Sequence, residues 1–356
     1  MTTAAMDALP IGKAAPPAAA RAALDGLMAR GAAFLGARVA VMGGAMSWVS
    51  ERHLVAALSN AGAFGVIANG AMEPDRLAAE IAGTQALTDR PFGVNLITVH
   101  PRLDALVDAC LAARVGHIVF AGGIPPGGAI RRAKEGGAKV VCFAPALSLA
   151  KRLVRAGADA LVIEGSEAGG HIGPVSLNVL AQEILPHVAD VPVFVAGGIG
   201  RGEAILAFLE MGAAGVQLGT RFVCATECIA HPNFKKAFIR ASARDAITSV
   251  QIDPRLPVIP VRALKNREME SFAAKQREVA QLLDEEKVEM AEAQLQIEHY
   301  WAGALRRAVI EGDVETGSVM AGQSVGMVKE EQPVAQILGA LMDEAASALE
   351  RRSVEA

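Results

Sequence analysis

One pattern constrains this chain more than any other. Short aliphatic or β-branched runs alternate eight times with longer stretches of helical spacing. The runs fall at residues 38–42, 64–68, 92–97, 117–120, 139–143, 160–164, 193–196 and 215–218. Helical spacing fills the gaps, for example at 52–61, 74–85, 103–114 and 147–156. A strand buried on both faces reads as a continuous apolar run, which is what parallel sheets covered by helices produce. Eight units of roughly 20 to 33 residues predict an α/β fold, a (β/α)8 TIM barrel. A doubly wound open sheet is the alternative, and it usually has fewer strands.

The composition fits. Hydrophobic residues make up 52% of the 356, aromatics only 4%, and there are 36 glycines. The core is therefore aliphatic and alanine-rich, suited to helices packed closely on a parallel sheet. Several strands follow a Gly-Ala step, as at Ala61-Gly62-Ala63 and Ala156-Gly157-Ala158. Glycine there ends the preceding helix in a left-handed turn.

The alternation stops after residue 264. Residues 265–312 are charged and long-periodic with no strand run, which predicts a small helical appendage. Residues 317–328 (GSVMAGQSVGMV) are too small and apolar for a surface linker, so the chain is expected to return to the barrel before a last helix near 334–351. The expected organisation is a loose segment 1–24, a barrel 25–264, an appendage 265–312, and a return segment with a C-terminal helix at 313–356.

Nothing in the net charge of −4 suggests a general nucleic-acid binder, which needs a basic excess, and none is expected. The N-terminus lacks a charged start followed by an apolar core, and no uninterrupted apolar stretch is long enough to span a membrane. A cytosolic protein is expected. Four cysteines are too few for a disulfide framework, and Cys224 and Cys228 lack the paired histidines of a zinc set, so buried thiols are expected.

In a TIM barrel the loops after the strand C-termini build the active site. Here those loops carry Gly43-Gly44-Ala45-Met46, Asn69-Gly70, Gly122-Gly123, Glu167-Ala168-Gly169-Gly170-His171, Gly197-Gly198 and Gly219-Thr220, with Asn95 near the end of the third strand. Glycine turns after strands seven and eight expose backbone N–H groups, the usual place for a phosphate cradle. Gly197, Gly198, Gly219 and Thr220 fit it; a plain pair of tight turns is the simpler alternative. His171 sits among glycines that give a ligand room to approach, and its side chain can exchange a proton near neutral pH. His100 lacks that setting, and the other histidines have ordinary structural explanations. No strand end carries the lysine of a Schiff-base aldolase, and there is neither a nucleophile elbow nor a dinucleotide fingerprint. A phosphate cradle with a histidine, and neither metal nor lysine, suits redox chemistry on a phosphorylated cofactor.

The stretch 164–173 (EGSEAGGHIG) resembles the signature of the 2-nitropropane dioxygenase superfamily, which contains nitronate monooxygenases and FMN-dependent enoyl-ACP reductases of type II. Residues 194–199 (FVAGGI), 216–222 (VQLGTRF) and 92–95 (FGVN) match its other motifs, so the resemblance runs from about residue 38 to about 340. It implies FMN on the barrel. It implies that Gly197, Gly198, Gln217, Gly219 and Thr220 hold the phosphate side, and that Gly44, Ala45, Met46 and Asn95 lie near the ring, with Gly322 and Gln323 adding to the cofactor site. It matches His171 to the family's active-site histidine.

Within the superfamily, Trp48-Val49, residues 263–266 (ALKN) and 317–323 (GSVMAGQ) resemble the enoyl reductases, with NADH or NADPH as co-substrate. Residues 121–128 depart from that pattern. Nitronate oxidation by FMN and oxygen is the second reading, and a non-redox phosphosugar-binding barrel the third. The substrate expected is small or carrier-linked, on an acyl carrier protein or coenzyme A; oligomer formation stays open. Lys236, Arg240 and Arg244 recur every four residues beside Lys235, which predicts a basic helical face, either merely solvated or docking such an anionic carrier.

Overall fold

The computed structural model describes residues 16–256 and 260–355. Its strands are β1 (Val41–Gly43), β2 (Gly65–Ala68), β3 (Phe92–Ile97), β4 (His117–Ala121), β5 (Lys139–Phe143), β6 (Ala160–Glu164), β7 (Gly170–His171), β8 (Val193–Ala196), β9 (Gly215–Leu218), β10 (Ala246–Thr248) and β11 (Val261–Leu264). Eight of them form one parallel sheet in the order β1-β9-β8-β6-β5-β4-β3-β2. A parallel bridge between Met42 and Phe64 joins its two ends, so the sheet closes into a TIM barrel.

The apolar runs coincide with the barrel strands almost residue for residue. The first strand is the exception. Arg38 and Val39 both donate their amides to the Gly62 carbonyl, so the ladder starts only at Val41.

The bottom of the barrel is closed by a helix, Ala18–Leu35. It starts inside the stretch expected to be loose; residues 1–15 lie outside the described residues. Ala20, Leu24, Met28, Gly31 and Leu35 form its buried stripe. Gly31 must be small, because a Cβ there would stand 2.1 Å from the Ala214 carbonyl oxygen. His117, at the start of β4, is also at this end. It lies between the rings of Phe34 and Phe64, and its Nε2 is 3.0 Å from the Phe34 carbonyl oxygen. Burial holds its pKa down to about 4, so it is a neutral core histidine.

The appendage is a pair of helices, Arg267–Asp284 and Met290–Arg306, with its own apolar core around Phe272, Val279, Ile297 and Trp301. The chain then returns to the barrel and ends in the helix Val334–Glu355, which packs on Gly202–Glu210. Residues 246–264, expected within the barrel, instead supply β10 and β11. β11 pairs with β10 on one edge and β7 on the other, in a separate antiparallel sheet. No helix among the described residues is long and apolar enough to cross a membrane.

The expected basic face is not built. The helix Pro232–Arg240 ends before Arg244, which sits in the separate turn Ala243–Asp245. Lys235 is buried and donates to Glu331 at 2.5 Å and to the Ala225 carbonyl at 2.8 Å. Of the basic residues on that helix, Lys236 and Arg240 are exposed. The four cysteines are free and buried, as expected.

Candidate active site

The C-terminal ends of the barrel strands bring the expected residues into two linked groups. In the first, the turns after β1 and β9 meet backbone to backbone. Gly44 donates its amide to the Leu218 carbonyl at 2.8 Å, and a Cβ on Gly44 would lie 3.3 Å from the Cα of Gly219. Met46 covers the same place, its sulfur 3.4 Å from where a Gly219 side chain would begin. Ser50 fixes this loop by donating to the Gly44 carbonyl at 2.7 Å and accepting from the Met46 amide at 3.0 Å.

The second group joins the β6 loop to the return segment. Gly322 donates to the Thr220 hydroxyl at 3.0 Å, and Gln323 donates to the Glu167 carbonyl at 2.9 Å. Gly169 and Gly322 pack so closely that a Cβ on Gly169 would stand 2.5 Å from the Gly322 nitrogen. The GSVMAGQ segment therefore crosses the barrel mouth, and Thr220 connects the two groups. A 3-10 turn begins at Thr220, and its first amides have no partner within the turn.

Gly197 and Gly198 take φ values of +99° and +70°, which side chains rarely adopt. A Cβ on Gly198 would lie 2.9 Å from the Cβ of Glu167. Crowding against Glu167, rather than open phosphate space, is thus the first thing a side chain at Gly198 would meet. Gln217 is buried inside β9, in register with Met42 and Ala196, not in the turn. Asn95 stands apart on β3, buried, and donates to the Val119 carbonyl at 3.3 Å.

His171 is exposed in β7, paired in register with Val261 of β11. The next residue, Ile172, donates to the Pro260 carbonyl at 2.9 Å. Arg262 buttresses this sheet. It is buried, and its guanidinium donates to the Ser166 carbonyl at 2.9 Å and the Ala246 carbonyl at 2.6 Å. Met320 bridges to Ala263 along the same edge of β11 that β7 uses, since Ala263 pairs with Ile247 of β10 on the opposite edge. The histidine loop is thus set by strands from the far side of the sequence. His100 has a structural use: its Nδ1 accepts from the Arg102 amide at 3.1 Å, just before the helix Leu103–Ala112.

A nitronate monooxygenase family profile matches residues 30–108 and 98–344. The chain belongs to that family. FabK from Thermotoga maritima superposes on it with a TM-score of 0.82 at 37% identity, over 92% of this chain and 99% of that one. A (3aS,4S,5R,7aS)-5-hydroxy-7a-methyl-1-oxo-octahydro-1H-indene-4-carboxyl-CoA dehydrogenase of Mycobacterium tuberculosis is 28% identical over 339 residues, 86% of this chain and 93% of that protein. A nitronate monooxygenase of Paraburkholderia phytofirmans is 30% identical over 257 residues, 59% of this chain and 70% of that protein. This nitronate monooxygenase family member is an oxidoreductase, which sets the phosphosugar reading aside.

The family barrel also holds polar groups at its mouth that the motifs did not single out. Asn69 Oδ1 and Thr98 Oγ1 are buried without a partner among the described residues. Each lies just beyond the end of a barrel strand. Unpaired buried acceptors and hydroxyls are costly, and a ligand in the mouth would satisfy them.

Glu164, the last residue of β6, is partly buried with no cation beside it among the described residues, and burial pushes its pKa from 4.5 up to about 8. Its carboxyl is therefore protonated at pH 7. Because the folded state keeps a proton that the unfolded state gives up, this group lowers stability as pH rises from about 4.5 to about 8. Glu164→Gln is expected to flatten that slope. The melting temperature of the cofactor-free variant should exceed wild type by a few degrees at pH 9 and by less at pH 5. Identical melting curves across that range would show that Glu164 is not held as an acid.

Proposed function

We propose that this chain is an FMN-dependent enoyl-thioester reductase that takes its electrons from NADH or NADPH. The observation that carries the reading is the return segment. The residues that resemble the enoyl reductases, 317–323, lie across the mouth, bonded to Thr220 and to the His171 loop. The likeness to a carboxyl-CoA dehydrogenase over 86% of this chain supports a thioester substrate.

The site suits FMN. The Gly198 amide has no partner among the described residues, and the turn at Thr220 offers further free amides, so both can take phosphate oxygens. Gly44, Ala45, Met46 and Asn95 would flank the ring, with Gly322 and Gln323 closing the mouth over it. Bound FMN supplies hydride transfer through its N5. The protein's own part is positioning and proton handling. The β6 loop and β11 hold His171 at the mouth, where its ring would give a proton to the substrate α-carbon or hydrogen-bond the developing enolate oxygen. Glu164, uncharged at neutral pH, would add no negative charge of its own against that enolate.

Nitronate oxidation is the second reading, and the family profile favours it. There His171 would bind the anionic nitro group or remove an α-proton. One experiment separates the two. The protein is expected to purify yellow with one FMN per chain, and anaerobic NADH or NADPH should bleach the flavin. An enoyl-CoA should then restore the colour. If neither nicotinamide bleaches it but an alkyl nitronate does, the reductase reading falls. A colourless protein that cannot be reconstituted ends both.

A further inference from the structure

A cavity of about 380 Å³ lies beside the mouth, at the seam between barrel and appendage. Ser50 and Ala68, the last residue of β2, line it along with Trp48, Arg76 and Arg306. Its size is within the range that holds a small ligand.

The two arginines come from distant elements and converge on one ring. The guanidinium of Arg76, on the helix Pro74–Gln85, is 5.7 Å from the Trp48 ring centre. That of Arg306, at the end of Met290–Arg306, is 5.8 Å from it. Trp48 adopts φ +67°, a conformation that costs a side-chain-bearing residue about 1–3 kcal/mol. Strain of this kind persists where the surroundings hold a side chain in a set place. The other tryptophan, Trp301, is buried in the appendage core.

The surrounding charges are unequally committed. Arg52 is taken up by Glu80 through contacts of 2.6 and 3.2 Å. Glu51 turns its carboxylate to the amides of His53 and Leu54 at a helix start. Arg306 pairs with the exposed Glu311. Arg76 forms no ion pair among the described residues and is exposed. An aromatic platform carrying two guanidiniums, one of them uncommitted, suits a phosphate or pyrophosphate. Met72, Ile229 and Ile310 add apolar wall for the rest of such a ligand.

We propose that this cavity holds the phosphate end of a nucleotide-bearing co-substrate whose reactive end reaches the mouth. A coenzyme A thioester and a nicotinamide dinucleotide share that chemistry. The kinetic arm of the test rests on the reductase reading; the binding arm does not.

The flavin-loaded protein is titrated by calorimetry with ADP, coenzyme A and phosphate-free pantetheine. Wild type is expected to bind ADP and coenzyme A more tightly than pantetheine. Arg76→Glu should weaken the first two about tenfold or more and leave pantetheine and FMN content unchanged. Trp48→Leu, which removes the platform, should weaken them too. In turnover, a rise in KM confined to the enoyl-CoA assigns the cavity to the thioester, and one confined to NADH or NADPH assigns it to the dinucleotide. Wild type that binds neither ADP nor coenzyme A, or Arg76→Glu that binds both as wild type does, overturns the proposal. A failure to reduce enoyl-CoA, with phosphate binding intact, counts against the reductase reading alone.

Discussion

Replacing His171 with alanine is expected to cut turnover by about a hundredfold or more while FMN stays bound. A positioned acid–base group typically contributes about 10²- to 10⁴-fold, or roughly 2.7 to 5.5 kcal/mol of barrier. The structure gives a reason to expect little collateral damage. β7 pairs with β11 through its backbone, and the His171 ring is exposed, so truncation leaves the ladder in place. The two half-reactions should separate. Flavin reduction by NAD(P)H should proceed at close to the wild-type rate, because it needs no proton delivered to a substrate carbon. Reoxidation by the enoyl thioester should carry the loss, in kcat more than in KM. Full turnover by His171→Ala with both enoyl-CoA and a nitronate would assign the ring to structure.

What the chain revealed in advance follows the range of the interactions involved. The barrel strands were legible because burial on both faces leaves a local signature, as in Val193–Ala196 and Ala160–Glu164. The helix Ala18–Leu35 was not, because an alanine- and proline-rich start looks like a loose tail; only its stripe of Leu24, Met28 and Leu35 marks it. The sheet that carries His171 has no local signature at all. Its two-residue strand Gly170–His171 finds its partner some ninety positions later, at Val261 and Arg262. Arg262 carries no signal of its role in the sequence, yet it is buried and holds the Ser166 carbonyl. The basic face failed for the opposite reason. Four-residue spacing aligns charges only while the helix lasts, and this one ends at Arg240 with Lys235 turned inward to Glu331. Glu164 opens the signature stretch 164–173, but its uncharged state comes from burial with no nearby cation among the described residues, which spacing cannot reveal.

Gly198→Val is expected to abolish FMN binding without unfolding the barrel. Two costs combine at this position. The backbone at φ +70° is one that a β-branched residue resists, by about 1–3 kcal/mol. The new Cβ would also stand 2.9 Å from the Cβ of Glu167, which must move. Glu167 is tied at both ends. Its carboxylate accepts from the Leu177 amide at 2.9 Å at the start of the helix Leu177–Ile184, and its carbonyl accepts from Gln323 at 2.9 Å. Displacing it therefore loosens the return segment over the mouth as well as the turn that offers the Gly198 amide. Loss of a ligand held at about a hundred times its Kd removes about 2.7 kcal/mol of stability, so the melting temperature should fall as well. A control separates strain from site damage. Gly212 has φ +102° with nothing within 4 Å of an added Cβ, and it precedes β9 at the other end of the barrel. Gly212→Val should lower the melting temperature yet keep the flavin. Far-ultraviolet circular dichroism should be unchanged in both variants, with the visible flavin absorbance lost only in Gly198→Val and not restored by added FMN. Full FMN occupancy in Gly198→Val would remove the turn after β8 from the cofactor site.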